Sequence, residues 1–446
     1  MQFLFKLPAG VGLARLPAAG LLGKQIGLAG FLLLLGFSST TWAAMGLSEV
    51  EQLALQGDPQ ILAQRARGEA LQAKSVADGQ LPDPKLAVGL YNVPLDDFDL
   101  KKEPSTQFRT KIQQAFPRGN SLQYQQQYTA WMGKAEQARA LQTTQQVRRE
   151  VREVYLELYY QLQAGKVVQQ SRKLFKQMVD VTRVKFSAGR VSQQDVLQAQ
   201  LGLSRLDERA TRIAEQQDVQ RASLSRWIGE AAWQPMATEF PALPVLPQKH
   251  ALQQGLAQHP AMQVSDARVS ANQQLIQRAR EQYKPGWNVG LEYRKRFGNN
   301  PNGSEREDMM AAMVTLDLPI FTNKRQDQRL AASQRNTYAA SQQRELRLRQ
   351  LQRQLSADYA RWQRLGEQQT LYQSHLMKEA LANTQAAFYA YQNGTTGFVA
   401  LMRAGLTELE VRLQELRINV DRAKAQSRLL YLIPPMASAS VEGEKP

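Results

Sequence analysis

Apolar and polar residues alternate along this chain with two distinct periods. In "WNVGLEY", Trp287, Val289, Leu291 and Tyr293 fall on one face, and Asn288, Gly290 and Glu292 on the other. In "MAAMVTLDL", Met310, Ala312, Val314, Leu316 and Leu318 oppose Thr315 and Asp317. A period of two with one apolar face predicts strands. A weaker copy occurs earlier, where Phe108, Thr110, Ile112 and Phe116 oppose Arg109, Lys111 and Gln113. Elsewhere the apolar spacing is three and four. Val147, Val151, Val154, Leu158 and Leu162 form one seam, which Val168, Phe175 and Val179 extend. Leu348, Leu351, Leu355, Tyr359 and Trp362 form another. These seams predict long helices with coiled-coil-like packing.

The two patterns occur twice in the same order. "DPQILAQRARGEA" from Asp58 and "HPAMQVSDARVSA" from His259 align Pro59 with Pro260, Ala66-Arg67 with Ala267-Arg268, and Ala70 with Ala271. Pro84, Val88, Gly89 and Leu90 then match Pro285, Val289, Gly290 and Leu291. Each half reads helix, strand, polar loop, strand, very long helix, break, helix. The loops run from Asn92 to Ser105 and from Arg296 to Glu307. The expected organisation is a signal peptide at 1–44, a first repeat at 45–239, a linker "FPALPVLP" at 240–247, a second repeat at 248–433 and a tail at 434–446. No proline lies between Pro117 and Pro235, or between Pro319 and Pro434. At 1.5 Å per residue, the runs from Pro117 to Gly189 and from Pro319 to Gly394 make helices of roughly 100 Å.

The breaks are "KFSAGRVSQQDVL" and "AYQNGTTGFVALM". Gly189 and Gly394 supply the positive φ needed at a tight helix C-terminus. Ser192 and Asp195 have the spacing of a capping box, and Thr395 or Thr396 is expected to cap the returning helix of the second repeat. Each break is therefore expected to be the tip of a helical hairpin.

The first residues resemble an export signal. Lys6, Arg15 and Lys24 precede an apolar run from Ile26 to Phe37 and the small-residue segment "SSTTWAA", with cleavage expected after Ala43 or Ala44. The chain has 446 residues and no cysteine. That excludes disulfides, thiolate metal sites, cysteine catalysis and an N-terminal lipid anchor on cysteine. Beyond the signal no stretch of 18 apolar residues remains, so membrane entry requires strands. Four strands cannot close a barrel, and an open sheet has unsatisfied edges in lipid. Three chains would supply about twelve strands, enough to close. A homotrimer is the simplest solution, with the apolar face against outer-membrane lipid and the face bearing Asn288, Glu292 and Asp317 in a watery lumen. A small β-sandwich on a soluble coiled coil is the competing arrangement.

No enzymatic constellation is visible. His250, His259 and His375 are isolated, "GLLGK" at Gly20 to Lys24 lacks the spacing of a phosphate loop, and no metal or cofactor site is expected. Strand alternation separates Met310 from Met313, which predicts packing rather than a soft-metal cluster. The net charge of +16 is spread along helices between glutamines, so nucleic acid is not an expected partner.

The duplicated layout, "LPIF" at Leu318 to Phe321, and the motif Arg183-x5-Gly189-x-x-Ser192-x-x-Asp195-Val196-Leu197 resemble the TolC-like outer-membrane efflux proteins, over about Leu47 to Leu432. The resemblance implies a mostly α-helical trimeric channel-tunnel: a shared 12-stranded β-barrel, four strands per chain, on a periplasmic α-helical barrel. It also implies a passive conduit rather than an enzyme. The implied partners are a periplasmic adaptor (membrane fusion) protein and an inner-membrane pump of RND type. Gly189, Arg190, Ser192, Gly394, Thr395 and Thr396 would be adaptor-docking tips. Asp195 matches a carboxylate of the periplasmic gate and Tyr391 its aromatic hydrogen-bond partner. The family's pattern has an arginine where this chain has Thr396, and aspartates where it has Ala400 and Arg403. An Arg403 ring would favour anions at the entrance. "LPDPKLAVGLYNVP", Leu81 to Pro94, resembles the branch that serves heavy-metal resistance pumps. A type I secretion or general drug-efflux outlet is the alternative, and a soluble periplasmic coiled-coil adaptor or scaffold a more distant one.

Overall fold

The structure, a computed structural model, describes residues 44–434. The predicted signal peptide and C-terminal tail lie outside the described residues, except for Ala44 and Pro434. The first repeat region contains α1 (Leu47–Gln56), α2 (Pro59–Asp78), β1 (Lys85–Tyr91), β2 (Gln107–Phe116), α3 (Ser121–Ser187) and α4 (Gln193–Ile228). A 3-10 turn at Gly229–Trp233 and an irregular segment through Pro247 follow. The second contains α5 (Lys249–Gly255), a 3-10 turn (Leu256–Gln258), α6 (Pro260–Glu281), β3 (Gly286–Arg296), β4 (Met309–Asp317) and α7 (Gln326–Leu371). A π-helical turn (Tyr372–Leu376), α8 (Met377–Gln392) and α9 (Phe398–Tyr431) complete it.

Two departures from the sequence reading stand out. Each half opens with two helices, not one. The matched prolines are the reason: proline cannot continue a helix but suits its first position. Pro59 and Pro260 each start a new helix behind a side-chain cap. Asp58 accepts from the Gln60 and Ile61 amides at 2.9 and 3.0 Å, and His259 Nδ1 accepts from the Ala261 amide at 3.1 Å. The second long helix also carries a π-helical turn, absent from the periodicity.

The first long helix, α3, spans 67 residues, or about 100 Å. It packs against α2, α4, α6 and α9. Its seam is buried as predicted at Val147, Val151, Leu158, Val168, Phe175 and Val179; full burial of each such side chain contributes about 1.5–3 kcal/mol. One core joins Val147, Val151, Tyr155 and Leu158 to Val50, Ile61 and Leu224. A second, nearer the breaks, joins Phe175, Met178 and Val179 to Leu206, Tyr391, Phe398, Leu401 and Leu409. A third gathers Leu252, Leu256, Met262, Leu351, Leu355, Leu429 and Leu432.

Between these cores α3 meets α9 through charge. Glu157 accepts from Arg417 at 2.8 and 2.9 Å and from Lys424, while Arg417 also donates to Asp421 at 2.7 Å. Burial would raise the Glu157 carboxyl, but Lys424 and Arg417 hold it below its ordinary range.

The four strands form one antiparallel sheet in the order β1-β2-β3-β4. The β2–β3 pairing joins the two halves, with Ile112 opposite Leu291 and Phe116 opposite Trp287. Among the described residues no helix is long and apolar enough to cross a membrane.

Candidate functional site

The sheet and the hairpin tips lie at opposite ends of the long helices. At the sheet, the register places Leu86, Val88 and Leu90 of β1 beside Ile112, Thr110 and Phe108 of β2. It continues through Leu291, Val289 and Trp287 of β3 to Ala312, Val314 and Leu316 of β4. This apolar face is open: Trp287 is 49% exposed and Val314 60%. The opposite, polar face is sheltered on the two central strands, where Glu292 is only 8% exposed, and open on the outer ones. A water-soluble sheet has the reverse arrangement, apolar in and polar out. Met310 pairs with Tyr293 and Met313 with Gly290, which puts the two methionines on opposite faces.

Glu292 and Asp317 both lie on the polar face, but in different surroundings. Asp317 pairs with Gly286 at the helix end of the sheet. Glu292 sits farther along, 2.6 Å from Arg294 Nε and 3.8 Å from Arg109 Nε. The sequence placed Arg109 and Lys111 on the polar side of β2 and the acids on that of β3 and β4, but did not bring in Arg294. Its alternation with Tyr293 was the available signal.

At the tips, the two breaks have one geometry. Gly189 has φ +68° and Gly394 φ +75°. The amide of Arg190 donates to Lys185 O at 2.9 Å and that of Gly189 to Phe186 O at 2.9 Å. In the second break, Thr395 donates to Ala390 O at 2.9 Å and Gly394 to Tyr391 O at 3.2 Å. Both are Schellman motifs, with glycine in the left-handed position.

The returning helices differ. Ser192 and Asp195 form a full capping box: Ser192 Oγ accepts from the Asp195 amide at 3.2 Å, and Asp195 Oδ2 accepts from the Ser192 amide at 3.0 Å. The expected threonine cap of α9 is absent. Its N-cap is Gly397, with no side-chain bond. Thr395 instead donates through Oγ1 to Ala390 O at 3.0 Å, back onto the helix that has just ended. The N-cap falls three residues past the glycine in both breaks, and there the second has Gly397 where the first has Ser192; Thr395, directly after Gly394, is nearer the old carbonyls than the new amides.

The structure does not join Asp195 to Tyr391 within the chain. Asp195 is turned onto its own cap. Tyr391 is 3% exposed, and its hydroxyl lies 3.2 Å from Thr182 Oγ1. Thr182 donates to Met178 O at 2.7 Å, so Tyr391 is the donor of the pair. Lys185 completes the contact: its Nζ donates to Tyr391 O at 2.6 Å and lies 3.9 Å from the ring centroid. Thr182 and Lys185 are separated from Tyr391 by more than 200 residues, and no local motif marked them. Arg403 is exposed on α9, in a groove between α4 and α9 that Arg205 and Glu410 also line. Arg190, Gly394, Thr395 and Gly189 are exposed at the two tips. Among the described residues no group of three or more His, Asp or Glu side chains could hold a metal ion.

A strand quartet with an exposed apolar face, set on two hairpins of about 100 Å, defines the class of channel-tunnel subunits. The chain is similar in fold to three solved membrane proteins: CusC, whose structures concern transmembrane channel formation, and two outer-membrane proteins. For CusC the TM-score is 0.74 at 14% identity, covering 88% of this chain and 93% of that one. For VceC of Vibrio cholerae it is 0.73 at 15%, covering 87% and 96%. For MtrE of Neisseria gonorrhoeae it is 0.74 at 13%, covering 86% and 88%. No curated protein matches the chain by sequence. Residues 251–433 match the family model described as Outer membrane efflux protein.

Proposed function

We propose that the chain is the outer-membrane channel of a tripartite efflux system and works as a homotrimer. One observation carries this reading: the sheet exposes its apolar face, from Leu86 through Trp287 to Leu316, and shelters its polar face on the central strands. Such a sheet is stable only where lipid covers the apolar face and neighbours pair the two free edges. Three copies satisfy both needs by closing a 12-stranded barrel. The division into repeats at 45–239 and 248–433 then supplies two hairpins per chain to a helical barrel below it.

The tips at Gly189, Arg190, Ser192, Gly394, Thr395 and Thr396 are the docking points for a periplasmic adaptor, and an RND-type inner-membrane pump provides the driving force. The conduit itself performs no chemistry. Asp195 and Tyr391 serve the periplasmic gate, with Arg403 at the entrance. In the state described here Tyr391 is held by Thr182 and Lys185, so gate opening involves breaking that contact, worth about 1–3 kcal/mol for a hydrogen bond to or near a charged group. Heavy-metal, drug and type I secretion cargoes are all compatible with the scaffold, because selectivity for a driven substrate resides in the pump.

Fractionation with gel analysis tests the reading: heat-resistant trimers in the outer membrane are expected, and monomers in a soluble fraction would overturn it. For the gate, Tyr391→Phe and Asp195→Ala are expected to raise resting conductance in planar bilayers. Unchanged conductance in both would remove these residues from the gate.

A further inference from the structure

The polar face of the sheet carries more cation than its carboxylates balance. Lys85, Arg109, Lys111, Arg294 and Arg296 share it with only Glu292 and Asp317. The charges are also unevenly placed. Asp317 lies at the end that adjoins the helices, whereas Lys111, Arg109, Arg294 and Arg296 gather toward the far end. Arg109 and Arg294 sit directly opposite each other across β2 and β3, a placement that is destabilising for like charges.

A single carboxylate serves this cluster, with two neutral acceptors beside it: the Gln107 side-chain oxygen takes Arg109 and Pro104 O takes Arg296. Glu292 contacts Arg294 at 2.6 Å and Arg109 at 3.8 Å, and it faces Lys111 across the ladder. Arg109 is also fixed by Tyr91, whose ring centroid is 4.2 Å from its guanidinium carbon. Each guanidinium presents five N–H donors, so one carboxylate and two neutral oxygens leave donors and positive charge over. The surplus is held in place by the sheet rather than free to turn away. The complementary occupant is an anion with several oxygens, which arginine pairs recognise bidentately.

We propose that this arginine-rich row, repeated in each chain around the barrel, is a binding belt for multivalent anionic solutes of the phosphate type in the outer half of the lumen. It rests on the trimeric-conduit reading above, and it makes anions, not free metal cations, the cargo that this stretch of wall favours.

Calorimetry with inorganic triphosphate on the detergent-purified trimer tests it, since the outer mouth is accessible whether or not the periplasmic end is shut. Binding at low salt is expected, weakening at physiological salt as the charges are screened. The R109Q/R294Q variant is expected to lose at least about tenfold in affinity, as for removal of two charge-assisted contacts. Should that variant not assemble, K111Q/R296Q leaves the Glu292 pairs intact and is expected to weaken binding at least about threefold. R349Q, an exposed α7 side chain, serves as the control and is expected to change nothing. A trimer that binds no triphosphate, or binds it equally well in the belt variants, overturns the belt while leaving the conduit standing. A purified monomer overturns the conduit and the belt with it.

Discussion

The two long helices invite comparison. Each follows a strand and ends in a Schellman glycine, and α7, the π-helical turn and α8 together cover the same 67 residues as α3. Their surroundings differ throughout. The first is enclosed by α2, α4, α6 and α9, with buried residues from Ser121 to Thr182. Of α7, only Gln326, Leu351 and Leu355 are buried, and Tyr338, Leu346 and Leu371 are exposed. A duplicated sequence has produced equal elements in unequal places. One chain can enclose only one of its two long helices; under the trimer reading, the open flank of α7 is where a neighbouring copy packs.

Substitutions on the two helices give the sharpest contrast. Leu158→Ala in α3 is expected to cost about 2–5 kcal/mol by opening a cavity in a filled core. Leu346→Ala on α7 is expected to change the stability of a single chain by less than about 0.5 kcal/mol. Chemical denaturation of the solubilised protein measures both. If Leu346→Ala lowers the heat resistance of the trimer on a gel, the neighbour is assigned to that flank.

A pH effect comes next in size, where the end of α9 meets the start of α6. His259 is 0% exposed. Its Nδ1 caps α6, and Nε2 bonds Tyr431 O at 3.1 Å. Burial lowers its pKa from the ordinary 6.5 to about 4. The folded state thus keeps the ring neutral while the unfolded chain takes up a proton. The contribution is complete above pH 6.5 and is lost as pH falls toward 4, by roughly 3 kcal/mol. His259→Asn, which still caps, is expected to flatten that part of the stability–pH profile.

The charged contact of α3 with α9 ranks third. Glu157→Ala leaves Lys424 and part of Arg417 unpaired and is expected to cost about 2 kcal/mol, below the full penalty for a wholly buried pair. On α7, Glu345→Ala removes only an exposed pair with Arg349, and less than about 0.5 kcal/mol is expected. The smallest difference is at the tips. Ser192→Ala removes a complete capping box and is expected to cost about 1 kcal/mol. Thr395→Ala, which caps nothing on α9, is expected to cost less. Equal losses would mean that the two tips are as alike in energy as in backbone.

Much of this was legible before any coordinates. The strands follow from period two in "WNVGLEY", the helices from apolar seams and missing prolines, and both turns from one glycine each. The box of Ser192 and Asp195 was legible for the same reason: its bonds close within four residues. The threonine cap failed on a detail of that local kind: the N-cap position, three residues past the glycine, holds Gly397 where the first break holds Ser192. The roles of His259 and Lys185 left no mark in the pattern. A histidine behind a proline looks like a loop residue until Tyr431 closes over it, and a lysine in the last turn of a helix looks like an ordinary dipole partner.

Sequence alone therefore determined the elements, their duplication, the reversal at each tip and which face of each strand is apolar, because these depend on backbone sterics and on contacts a few residues apart. Tertiary structure decided that Tyr391 is held by Thr182 and Lys185, that Glu157 gathers Arg417 and Lys424, and that Arg109 faces Arg294 across one carboxylate. Those partners lie roughly 185 to 270 residues apart in the chain. Such distant pairs are brought together only when helices and strands settle against one another, and packing then fixes which side chains share a site.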